Sequence, residues 1–164
     1  MRQVAVSIGS NIDREHNVRT AVRALRTRFD GVSCSPIYRS EAVGFDGPHF
    51  FNLVAAFMSE LSVLELLAGL REIESRQGRA RAGNSFHSRP IDIDLLLFGD
   101  EVLYGQGLDV PRGEILDHAH VLKPLSVVLP AGRHPISGES YADLWSQVAA
   151  KSTALLEEIE LSLE

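Results

Sequence analysis

The stretch Ile91-Asp92-Ile93-Asp94-Leu95-Leu96-Leu97-Phe98 is apolar apart from two aspartates. Its length and β-branched content read as a buried strand. Residues two apart on a strand share a face. Asp92 and Asp94 are therefore expected to point one way, and Ile91, Ile93, Leu95 and Leu97 the other. Two bare carboxylates on one face of such a strand repel each other and lose hydration. A shared cation removes both costs. Hard oxygen ligands suit Mg²⁺, which keeps waters and takes further ligands from phosphates. Two such ions could clamp a polyphosphate between them.

The residues just before this strand supply the opposite charge. Arg79, Arg81 and Arg89 lie on a polar loop that leads into it. Guanidinium groups are planar, always charged and matched to phosphate oxygens. Phosphoryl transfer needs positioning and charge neutralisation more than covalent chemistry. The pair of aspartates with the arginines thus points to a nucleoside triphosphate.

Upstream, Val4, Val6 and Ile8 alternate as a first strand, and Val18, Val22, Leu25 and Phe29 follow helical spacing. Residues 32–38 read as a second strand, an edge or bulged one because of Pro36. Phe51, Leu53, Ala55 and Phe57 make a third. Ser62-Val63-Leu64-Glu65 is a capping box that opens a helix ending near Gly78. Strand, helix, strand, strand, helix, strand is the split order of a ferredoxin-like α+β fold. Downstream, residues 102–104 read as a short strand, with helical turns after Pro111 and near Leu125. A last amphipathic helix is expected over about 140–163, opened by Ser140. The whole, 1–164, reads as a single domain.

Phe50 and Asn52 share the face of the third strand opposite its core positions. A flat ring beside an amide is a seat for a planar heterocycle. His118-Ala119-His120 has no clear third ligand nearby, so helix-end histidines are preferred to a transition-metal site.

Composition narrows the class. The chain has 164 residues, 45% apolar and 23% charged, with net charge −6. That balance suits a globular domain and argues against a nonspecific nucleic-acid binder. No apolar run would span a bilayer, and Met1-Arg2-Gln3 leads into a strand rather than a signal sequence. With one cysteine, Cys34, no internal disulfide forms. A cytoplasmic protein, monomer or homodimer, is expected, with no nucleic acid or membrane partner.

Several segments together resemble the 6-hydroxymethyl-7,8-dihydropterin pyrophosphokinase family of folate biosynthesis. They are 7–11 (Ser-Ile-Gly-Ser-Asn), 38–44 (Tyr-Arg-Ser-Glu-Ala-Val-Gly), Phe50-Phe51-Asn52, Arg79-Ala80-Arg81, 89–99 around the aspartates, Val110-Pro111 and 121–125. The resemblance covers about residues 3–130. It implies a magnesium-dependent, ATP-using transferase that places pyrophosphate on the pterin hydroxymethyl group and releases AMP. It implies a ferredoxin-like three-layer α/β sandwich with a mostly antiparallel central sheet. Asp92 and Asp94 would hold two Mg²⁺ ions, and Arg79 and Arg89 would steady the phosphates. Arg81, Glu74 and Arg112 would serve ATP. Phe50 would stack on the pterin, with Asn52, Ser40 and Val43 at its edge and His120 as the second ring. The chain departs from the family's pattern at Phe86-His87-Ser88, at Arg112 where histidine is common, and at His118 and His120. A histidine ring can stack, with a charge that varies near neutral pH. The alternatives are a nucleotide-sugar transferase using Asp-x-Asp, and a diverged non-catalytic relative that binds nucleotide or pterin.

Overall fold

The computed structural model describes residues 1–78 and 90–164. The alternating residues Val4, Val6 and Ile8 lie on β1 (Arg2–Ser10), followed by α1 (Arg14–Arg28). The expected second strand is split into β2 (Ser33–Cys34) and β3 (Ile37–Ser40). Pro36 cannot donate to a ladder. Ser35 bridges the gap: its N–H donates to Val54 O, and Val54 N–H donates to Ser35 Oγ, both at 2.9 Å. Then come β4 (Phe50–Ser59), α2 (Val63–Arg76) and β5 (Asp92–Phe98). The capping box forms at α2: Glu65 N–H donates to Ser62 Oγ at 3.2 Å, and Ser62 N–H donates to Glu65 Oε2 at 2.9 Å.

Beyond β5 the chain makes a hairpin, β6 (Leu103–Gly105) and β7 (Leu108–Val110), the second of which was not legible as a strand. Three helices follow: α3 (Glu114–Asp117), α4 (Ala119–Val128) and α5 (Tyr141–Ala149). The helix expected over 140–163 therefore ends at Ala149, and the chain returns as β8 (Glu157–Ile159). Ser152 and Thr153 are poor helix formers. Past them, Ile159, Leu161 and Leu163 alternate with Glu160 and Ser162, which is strand periodicity.

The main sheet runs β5-β1-β4-β3-β8, with β2 also on β4, and every pairing is antiparallel. Helices cover both faces. On one, Val18, Val22 and Leu25 of α1 and Leu66, Leu70 and Ile73 of α2 pack with Val4, Val6, Ile8, Leu53 and Phe57. On the other, Val121, Leu122 and Leu125 of α4 and Leu144 of α5 pack with Ala5, Val54, Leu96 and Leu97. Each buried Val, Leu, Ile or Phe among these contributes roughly 1.5–3 kcal/mol of transfer free energy.

The alternation on β5 holds through Leu95 and then breaks. Val6 faces Leu95 while Ala5 faces Leu97, so Leu96 has no partner across the ladder. This bulge sends both Leu96 and Leu97 to the α4 side, the side of the aspartates. No helix among the described residues is long and apolar enough to cross a membrane.

Candidate active site

Cross-strand partners in an antiparallel ladder share a face. One row runs Asp92, Gly9, Asn52, Tyr38 across β5, β1, β4 and β3, and the next runs Asp94, Ser7, Val54. Val54 lies under α4. Beyond the helix's N-terminal end the face is open. A cleft of about 370 Å³ lies there, and Asp92, Asp94, Ser40, Val43, Phe50, Asn52, Arg112 and His120 all line it. The structure thus brings the expected acceptor residues and both aspartates to one cavity.

Gly9 makes the room between them. A Cβ at Gly9 would stand 3.1 Å from Asn52 Oδ1 and 3.6 Å from Phe50 Cδ1. Asn52 is buried, and its Nδ2 donates to Ser40 Oγ at 2.6 Å. That bond fixes which way the amide faces. Phe50 is held edge-on by Phe45, with ring centroids 6.4 Å apart. At the opposite wall His118 and His120 stack at 5.0 Å with planes 23° apart.

The electrostatics are those of crowded carboxylates. Burial, and then the Asp92 carboxylate, push the Asp94 carboxyl from an ordinary 3.8 up to about 7, with Glu114 and Glu74 adding to the rise and Arg112 opposing it. Arg112 Nη2 lies 3.6 Å from Asp94 Oδ1 and 3.3 Å from Glu114 Oε1. Burial works against the Arg112 charge, but Asp94 and Glu114 outweigh it and hold the guanidinium protonated. His120 behaves differently from the ring of varying charge that its type suggests. Burial and then His118 lower it to about 4, Glu114 opposing, so it is a neutral ring at neutral pH.

Glu74 is not in the cleft. It is buried on α2, and its Oε2 accepts from Ile93 N–H at 2.9 Å. It lines a second pocket of about 190 Å³ at the outer edge of β5, shared with Asp94 and Arg112. Asp94 and Arg112 therefore stand between two cavities. Arg79, Arg81 and Arg89 lie outside the described residues. Among the described residues no group of three or more His, Cys, Asp or Glu side chains is arranged to hold a metal. Two carboxylates suit Mg²⁺, which fills its shell with water and phosphate oxygens.

Phe45 and Glu114 line the cleft and were not singled out from the sequence. An aromatic in a Gly-rich loop is the signal that could have found Phe45. Glu114 two residues after Arg112 carries no such signal.

The family model for 7,8-dihydro-6-hydroxymethylpterin-pyrophosphokinase matches residues 5–130. The chain belongs to this family. A 2-amino-4-hydroxy-6-hydroxymethyldihydropteridine pyrophosphokinase of Pseudomonas aeruginosa is 37% identical over 145 residues, covering 82% of this chain and 88% of that protein. One of the same description from Porphyromonas gingivalis is 36% identical, covering 79% and 92%. Among solved structures, a Plasmodium falciparum HPPK-DHPS chain superposes with a TM-score of 0.73 over 91% of this chain at 12% identity, which speaks to fold alone. This chain spans 42% of that one, so it matches less than half its length.

Proposed function

We propose that this chain transfers pyrophosphate from ATP to 6-hydroxymethyl-7,8-dihydropterin, releasing AMP, as a step of folate biosynthesis. The observation that carries this reading is the arrangement on one sheet face of Asp92 and Asp94 beside a seat for a flat ring, separated by the gap that Gly9 leaves. The architecture is a ferredoxin-like three-layer sandwich, α1 and α2 on one face and α3 to α5 on the other, serving as one domain over 1–164.

In the cleft, Phe50 and the neutral His120 sandwich the pterin, and Asn52, Ser40 and the backbone near Val43 meet its hydrogen-bonding edge. A neutral His120 suits an uncharged ring better than an imidazolium would. ATP occupies the β5-edge side, with Glu74 and Arg112 there and Arg79, Arg81 and Arg89 on the phosphates. Asp94 and Arg112 face both substrates. The pterin hydroxyl oxygen gives its proton to solvent water and bonds to the β-phosphorus, the bond from that phosphorus to the α–β bridging oxygen breaks, and AMP departs carrying that oxygen. Arginine forks hold the charge that builds on the phosphate oxygens.

Asp92 and Asp94 are the residues that would hold magnesium, as two ions. Bound there, magnesium would neutralise phosphate charge and acidify the pterin hydroxyl, so no strong protein base is needed. The raised pKa of Asp94 supports this, since burial and then the Asp92 carboxylate disfavour its charge and a shared cation would offset both.

The test is incubation of folded protein with ATP, Mg²⁺ and the reduced pterin, with AMP measured by chromatography. AMP formed in step with pterin consumption supports the reading. No AMP, with both ligands binding by calorimetry, would favour a non-catalytic binding protein instead.

A further inference from the structure

Residues 40–43 form a thin wall. On one side lies the cleft, and on the other a cavity of about 670 Å³ bounded across from them by residues 151–155. Ser40, Val43, His118 and His120 line both. A wall with a cavity on each side takes its position from its anchors rather than from packing. Its upstream anchor is β3, which ends at Ser40. That strand pairs with β4 on one side and with β8 on the other: Ile37 faces Ile159, Tyr38 faces Glu158 and Arg39 faces Glu157. An ion pair between Arg39 and Glu157 reinforces the last step.

The segment that supplies β8 is itself tied down. Arg19 Nε donates to Ser162 O at 2.8 Å and Arg26 Nη1 to Leu163 O at 3.2 Å, both from α1. Ile159, Leu161 and Leu163 pack against the core under that helix. This segment lies beyond residues 5–130, which the family model matches.

We infer that β8 is a positioning element for the acceptor site: by closing the edge of β3 it sets where the wall 40–43 stands, and with it the grip of Ser40 and its partner Asn52 on the acceptor. The inference rests on the proposed function. Removing β8 pairing lets β3 and the wall drift toward the larger cavity. The acceptor then binds less well, while the nucleotide side, across β5, is untouched.

The test uses the full chain carrying Glu157→Pro with Glu158→Pro. Alternate residues of an antiparallel strand donate to the neighbour, so this pair removes a ladder N–H whichever residue faces β3. The KM for the pterin should rise about tenfold or more, with the KM for ATP and kcat within about twofold. Glu157→Arg, which sets like charges across the strands, should raise the pterin KM about threefold, and Arg39→Glu with Glu157→Arg should restore it. An unchanged pterin KM in the proline variant overturns the inference. So does a variant whose folded fraction falls while the remaining enzyme keeps its pterin KM, since that marks a purely structural strand. Failure of the unmodified chain to release AMP overturns the functional reading itself and the acceptor role of β8 with it.

Discussion

Asp94 is the residue at which stability and function oppose each other. Its carboxyl sits at about 7 in the folded chain against an ordinary 3.8, so ionising it costs folding free energy. That part of the stability is present below about 4 and is lost as pH rises through 7. His120 runs the other way. Its imidazole sits at about 4 against an ordinary 6.5, so stability falls as pH drops from 6.5 toward 4. In metal-free buffer the two largely offset each other over that window. Asp94→Asn should therefore raise the melting temperature at pH 8 and leave a curve that falls only on the acid side, while lowering turnover about a hundredfold or more. Calorimetric melting against pH checks the first part. A variant that melts lower than the parent at pH 8 would mean Asp94 is already well paired. Gly9 offers a second residue-scale test. Gly9→Ala places a methyl 3.1 Å from Asn52 Oδ1, so the KM for pterin should rise about tenfold with ATP affinity unmoved, read by steady-state kinetics.

At the scale of elements, what the sequence made legible followed from simple periodicities. The alternation on β1 and β4, the capping box of α2 and the shared face of Asp92 and Asp94 all stand as their spacing implied. What stayed hidden was long-range. Leu155, Leu156 and Ile159 fit a helix as well as a strand, and only the open edge of β3 favours a strand there. The β5 bulge is likewise invisible, since Leu95, Leu96 and Leu97 are one residue type and their faces are set by the partner strand. Glu114 joins the site by a turn of chain geometry that no local pattern encodes. The bulge has a measurable consequence. Leu96 is fully buried on the α4 side, so Leu96→Ala should cost about 2–5 kcal/mol in urea unfolding and loosen the floor beneath α4. A cost under about 1 kcal/mol would mean that the site collapses readily around the smaller side chain.

Taken whole, the molecule carries net charge −6 and gathers Asp92, Asp94, Glu74 and Glu114 around two cations of the described lining, Arg71 and Arg112. An anionic nucleotide would be repelled by such a site without a compensating cation. Ligand that binds only the folded state stabilises it, by about 2.7 kcal/mol at a hundred times its Kd. Mg²⁺ with a non-hydrolysable ATP analogue should thus raise the melting temperature of the parent chain, and much less that of Asp94→Asn. Equal shifts in the two would place the metal elsewhere. Movement of a two-phosphate unit from ATP to a pterin across Asp94 and Arg112 can be followed through phosphorus. With ATP labelled at both β and γ positions, both labels should end on the pterin and AMP should be the nucleotide product. Label transferred from the γ position alone, leaving ADP, would contradict it.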